Sequence, residues 1–298
     1  MTREFKAVIM LFITSIIWGL AFVAQTEGME LIGPFTFTAA RSYVAVVFLI
    51  LTFLFFNKKM IIEDYSKEKT IRGGMICGIV FTISINLQQI GLLHTTAGKA
   101  SFLTALYIVV IPIISLFLGK KIPPKIIICI VIAIIGTYLL SVKESFDINL
   151  GDITVILSAI AFAVHMMLLS KYSTGTNAIL VSLIQFLMCA VISNVIALLI
   201  EDFELINILK SYVTILYVGI LSSGVGFTIQ LIALKDLDTV IASMISSLES
   251  VFGALFGWII LGQAMDLREI AGASLIFIAT LLAQIPIEKY FTIHSEKF

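Results

Sequence analysis

The sequence predicts an all-α membrane protein of ten transmembrane helices, arranged as two inverted five-helix repeats. Three observations predict it. The 298 residues are 60% hydrophobic and only 13% charged, against about 25% charged in an ordinary soluble domain. The charges gather between ten apolar runs, each close to the roughly 20 residues that a helix needs to cross the hydrocarbon core. The two halves of the chain also carry a weak internal repeat.

The first run, 5–26, has Arg3 before it and Lys6 at its very start. A secretory signal has an apolar stretch of about 7–15 residues and a small-residue cleavage site. This run is longer and lacks that site, so it reads as a retained first span. The others fall at roughly 33–56, 72–93, 96–118, 125–142, 151–171, 177–199, 211–234, 239–261 and 268–287. Connections are short, so sequential spans should be antiparallel. Cys77, Cys129 and Cys189 each lie inside a run without metal-ligand spacing. They read as small buried hydrophobes.

Orientation follows from lysine and arginine in the connections. With the N-terminus inside, fourteen fall in cytoplasmic segments and four (Lys99, Lys143, Lys210 and Arg268) in external ones. Arg41, inside the second run, completes the 19. Both termini should therefore be cytoplasmic, and an even number of spans is consistent with that.

The repeat sets "FLGKKIPPK" over "ILGQAMDLR" at an offset of 143 residues. It sets "QQIGL" from Gln88 over "QLIAL" from Gln230 at 142. The halves are 1–145 and 146–298. Five spans is an odd number, so the second half starts on the opposite side of the membrane. Inverted repeats of this kind recur in secondary transporters, with the substrate site near the midplane between them.

Five segments carry a resemblance over nearly the whole chain. They are "WGLAFV" from Trp18, "PFTFTAARS" from Pro34, "TTAGKASFLTALYIVVIPI" from Thr95, "GDITVILSAIAFAVH" from Gly151 and "SSLESVFGALFGWIILGQ" from Ser246. In this order and spacing the chain resembles the drug/metabolite transporter superfamily, and within it the EamA family. The resemblance implies helix-lined alternating access and small-metabolite substrates, with amino-acid exporters the best-known members. The chain departs from the family pattern at Ser250, where Pro is frequent, and at Lys120 and Gln263, where Glu is frequent. No role for those interfacial glutamates carries over.

Ionisable groups inside a membrane are rare and point to function. Glu249, near the middle of the ninth span, reads either as an ion-paired strut, with Arg41 as the candidate partner, or as a coupling or substrate-contacting group. Arg41 stays protonated and needs a partner, water or an anionic substrate. Lys99 starts the fourth span, where a snorkelling side chain is the plain alternative. Asn86, Gln89, Gln185 and Gln230 are candidate cavity residues, because lipid-facing amides are costly, and His165, past the middle of the sixth span, is a candidate pore-lining residue. Trp18 and Tyr107 are candidate aromatic walls. Packing is the competing reading for each. Pro112 should kink the fourth span. Spans 1, 3, 4, 6, 8 and 9 should build the cavity. Spans 5 and 10, poor in polar residues, should lie at the periphery.

Zero formal net charge removes any basic face for nucleic acid. There is no phosphate loop, dinucleotide fingerprint or metalloprotease motif, so no cofactor, metal or enzymatic role is expected. The predicted partners are a small-molecule substrate, the lipid bilayer and a proton as candidate coupling ion, with the chain a monomer or weak homodimer. The expected function is export of an amino acid or related polar metabolite at a prokaryotic cell membrane. Nucleobases, nucleosides or vitamin-like rings are the alternative cargo, and a non-transporting sensor is the rival class.

Overall fold

The computed structural model describes residues 2–60, 65–141, 149–202, 204–262 and 266–284. The repeat boundary at 145/146 and Gln263 lie outside them. The described chain is helical, with no strand among those residues. That is what a hydrocarbon solvent demands, since each backbone N–H and C=O must be satisfied within its own segment.

The first half holds α1 (Arg3–Gly28), α2 (Pro34–Met60), α3 (Lys67–Leu92), α4 (Ala97–Ala105), α5 (Tyr107–Phe117) and α6 (Pro124–Ser141). The second holds α7 (Leu150–Ser173), α8 (Ala178–Ile200), α9 (Leu205–Lys210), α10 (Tyr212–Leu216), a π-helical segment (Tyr217–Phe227), α11 (Thr228–Ala233), α12 (Thr239–Ser246), α13 (Leu248–Leu261) and α14 (Leu267–Gln284). Among the described residues nine helical stretches are long and apolar enough to cross a membrane, and Pro124–Leu140 is a shorter apolar helix. Starts are marked by side chains that accept otherwise unpartnered N–H groups: Thr2, Ser66, Thr96, Asn149, Asn177 and Asp238. Glu201, just past α8, accepts from the backbone N–H groups of Phe35 and Thr36 at 2.8 Å each. It thereby ties the start of α2 to the second half.

Three predicted spans are not uniform helices. The fourth is interrupted at Leu106, between α4 and α5, and the ninth at Ser247, between α12 and α13. The sequence places the irregularity of the fourth span at Pro112. The break lies upstream instead, where Leu106 N–H closes onto Leu103 O. Pro112 sits inside α5, and its ring crowds the turn before it. The eighth span opens into a π-helix over eleven residues, a wide-bore form concentrated at functional sites.

Large aliphatic side chains such as Leu54, Ile128, Val195 and Leu199 point outward, and Phe117 is 87% exposed. Small and polar side chains face inward. Without a hydrophobic drive between helices in lipid, close backbone approach sets the packing. α3 packs on α7 and α8, α2 on α8, α1 on α13, and α6 on α14. At the α6–α14 seam a Cβ on Gly136 would stand 2.7 Å from Gly272 O, and one on Gly272 would stand 2.5 Å from Gly136 O. Spans 5 and 10 thus pack on each other. "KIIICIVIAIIGTYLL" is not lipid-facing all round: Cys129, Ala133 and Thr137 are buried, while Ile128, Val131 and Ile135 are exposed.

Candidate functional site

The breaks in the fourth and ninth spans place Tyr107 and Glu249 at the starts of α5 and α13. Tyr107 OH donates to Glu249 Oε1 at 2.9 Å across 142 residues of chain. This contact resolves what holds a carboxylate in the membrane interior. A charged group costs about 2.5–3.5 kcal/mol at mid-helix on insertion scales. A hydrogen bond to a charged group returns about 1.5–3 kcal/mol. The two sides are comparable.

The expected Glu249–Arg41 pair is not formed. Arg41 is 1% exposed, and its guanidinium donates to Gln25 Oε1 at 2.7 Å and to Ser223 Oγ at 3.0 and 3.2 Å. Arg41 projects from α2 towards the π segment, and Glu249 from α13 towards α5. Gln25 Oε1 also accepts from Gln89 Nε2, so Gln89, Gln25, Arg41 and Ser223 form one chain of contacts. Ser223 reaches Arg41 from the π segment. Trp18 Nε1 donates to Ser222 O in the same segment at 3.1 Å.

Arg41 and Glu249 nevertheless border the same central cavity, with Trp18, Tyr107, His165 and Gln230. It is narrow, with about 50 Å³ open to the centres of water-sized spheres, room for a few waters. Its walls come from α1, α2, α3, both broken spans, α7, the π segment and α11. Asn86, Gln89, Gln185 and Lys99 do not border it. Asn86 turns to Thr82 O and Ser193 Oγ, and Gln89 supports Gln25 from behind. Gln185 Oε1 faces His165 Nε2 at 2.8 Å, which makes that ring nitrogen the donor.

Lys99 neither enters the cavity nor simply snorkels. Its ammonium lies 2.6 Å from Asp152 Oδ2. The same carboxylate accepts from Thr95 Oγ1 and from the backbone N–H of Asn149, which locks the start of α4 to the start of α7. The resemblance-bearing "TTAGK" and "GDI" segments therefore meet each other.

Sequence reasoning missed Gln25, Thr104, Phe162, Ser222 and Phe227 as lining residues. Gln25 had a legible signal, an amide near the end of an apolar run. The phenylalanines had none, because packing and cavity aromatics look alike in sequence. Phe227 packs tilted at 45° against Trp18, ring centroids 4.8 Å apart, and meets Phe81 edge-on, also at 4.8 Å. Phe81 lies 5.3 Å from His165. Gln88 Nε2 donates to Thr104 Oγ1 at 3.0 Å. Its repeat-related partner, Gln230, has an amide oxygen with no hydrogen-bond partner among the described residues.

Two seams of the bundle differ. α1 and α13 close tightly, so that a Cβ on Gly19 would meet Phe252 Cβ at 2.5 Å and Gly253 N at 2.7 Å. Between α5 and α7 lies a cleft of about 380 Å³, bordered by Leu118, Lys120, Val164, Met167 and Lys171. A second cleft, of about 400 Å³, is bordered by Glu30, Glu201, Asp202 and Glu204. No cluster of metal-ligating side chains occurs among the described residues.

The model of the EamA-like transporter family matches residues 5–142 and again residues 149–284, one match in each half. The chain belongs to the EamA-like transporter family. It is a membrane transporter of the drug/metabolite superfamily built from two repeats. Relatives bear transporter names. An uncharacterized transporter of Archaeoglobus fulgidus is 28% identical over 277 residues, 92% of this chain and 84% of that one. The uncharacterized transporter YoaV of Bacillus subtilis is 24% identical over 268 residues, 88% of this chain and 91% of that one. A solved crystal structure shares the fold at a TM-score of 0.75, with 17% identity over 94% of this chain and 96% of that one.

Proposed function

We propose that the protein is a secondary transporter of the prokaryotic cell membrane. It moves small polar metabolites by alternating access, with an amino acid or related compound as the leading cargo, and it catalyses no chemical conversion. The observation that carries this reading is the central cavity, walled by both repeats at two interrupted spans. Interrupted helices at a repeat interface are the usual setting of a transporter's substrate site.

In this reading the shorter α6, aligned along α14, also crosses the membrane and brings the spans to ten, and the halves are inverted. The 142-residue offset relates α1 to α7 and α13 to α5. The sealed α1–α13 seam and the open α5–α7 cleft are then equivalent positions in different states. Exchanging the two arrangements closes one end of the protein and opens the other. Nucleobases or similar rings are the second cargo class, favoured by Trp18, Phe162 and Phe227 around the cavity.

Counterflow tests the reading. Proteoliposomes preloaded with unlabelled amino acids should take up the same labelled compounds against their gradient, and protein-free vesicles should not. Absence of exchange for amino acids, nucleosides and nucleobases alike refutes the transporter reading.

Orientation has its own test. The three cysteines are buried, so single cysteines at the exposed positions Glu30, Asp202 and Lys67 give a clean readout. An impermeant maleimide applied to whole cells should label the first two and spare the third. The reverse pattern overturns cytoplasmic termini.

A further inference from the structure

Arg41 is a fully charged group whose partners are all neutral. A guanidinium offers five N–H donors and does not lose its proton. Those of Arg41 reach an amide oxygen and a hydroxyl. Among the described residues no carboxylate lies within ion-pair distance of it, and the cavity's acid, Glu249, is bonded to Tyr107. An uncompensated charge is among the most costly groups to bury in a membrane interior.

One isosteric side chain would compensate it. Gln25 Oε1 stands 2.7 Å from the guanidinium. Glutamate at that position, identical in shape, would complete a buried ion pair. The amide instead orients Arg41 without discharging it, and Gln89 holds the amide from behind. A second observation concerns the cleft that the transporter reading makes the way in. The cleft between α5 and α7 is bordered by Lys120 and Lys171 and by no acid.

Resting on the transporter reading above, we infer that Arg41 is the anchor for a carboxylate on the transported molecule. The cargo is a small monocarboxylate. Its carboxylate binds the guanidinium that Gln25 and Ser223 orient. The free amide oxygen of Gln230 accepts from a donor such as an amino group, and Trp18, Phe162 and Phe227 take the apolar part. One buried cation in the cavity matches one negative charge, which disfavours a phosphate dianion.

The test is counterflow by the full-length protein with three matched sets and two neutral compounds. The sets are the twenty amino acids, their amides and their decarboxylated amines, and uridine and adenine complete the panel. Acids should exchange, and their amides and amines should not. Gln25→Glu should lower acid exchange about 30-fold or more, as loss of a buried charge-paired contact does. Its melting temperature should hold or rise, because Arg41 gains an internal partner. Arg41→Lys, which keeps the charge and loses the fork, should retain part of the preference. A merely structural Arg41 would tolerate Gln25→Glu without loss of exchange, and that result overturns the proposal. So does equal exchange of acids and amides. Exchange of uridine or adenine without any acid refutes the anchor and leaves the transporter reading standing. Silence across the whole panel refutes both.

Discussion

Glu249→Gln should leave the protein folded and collapse substrate accumulation driven by a proton gradient to the equilibrium ratio, while counterflow of the same substrate continues. Glutamine keeps an oxygen for the Tyr107 hydroxyl that now donates to Glu249 Oε1, so stability should stay within about 1 kcal/mol of the wild type. What it loses is the ability to take up and release a proton. Exchange needs no net proton movement and survives. Glu249→Leu should behave differently. It strands the buried Tyr107 hydroxyl without an acceptor, at a cost of about 1–3 kcal/mol, and should lower the melting temperature and the yield. Accumulation assays at imposed pH gradients, set beside counterflow and thermal denaturation, separate these outcomes. Undiminished proton-driven accumulation by Glu249→Gln would end the coupling role and leave Glu249 as a strut for the broken ninth span.

Gly272→Leu should be the most damaging single change to the fold. The new Cβ would lie 2.5 Å from Gly136 O and from Leu140 N. Both are backbone atoms, so neither can swing aside as a flexible side chain would. The α6–α14 seam must then spread along its length. Overpacking costs about 1–3 kcal/mol where a core can adjust, and this seam should sit at or above the top of that range. Gly98→Ala is the control, since a Cβ there meets nothing within 4 Å. It should hold or raise the melting temperature. Equal melting temperatures for Gly272→Leu and the wild type would show that α6 and α14 do not depend on each other.

The α6–α14 seam also marks where sequence reading stopped. The sixteen residues from Lys125 read as apolar all round, and only the packed structure distinguishes the buried face of Cys129, Ala133 and Thr137 from the exposed face of Ile128 and Ile135. In lipid both faces are greasy, so the periodicity that marks a buried face in water is erased. What separates them is side-chain size, a weaker signal. The interruptions at Leu106 and Ser247 were hidden for a similar reason. They keep nearly helical backbone angles, and neither carries a helix-breaking residue.

The sequence by itself determined the class, the family, the apolar runs and the repeat. Each is a property of local composition or of order along the chain, and the hydrocarbon solvent leaves the backbone little choice but helix. It also singled out Arg41 and Glu249, because a charge in a greasy run is conspicuous. Only the tertiary structure decided their partners. Arg41 turned to Gln25 and Ser223, Glu249 to Tyr107, and Lys99 to Asp152. Three of those four partners lie more than a hundred residues away or across the repeat boundary. Which side chain meets a buried charge depends on helix rotation and register, and these are set by close contacts between glycines and their neighbours summed over the whole bundle rather than by any residue near the charge.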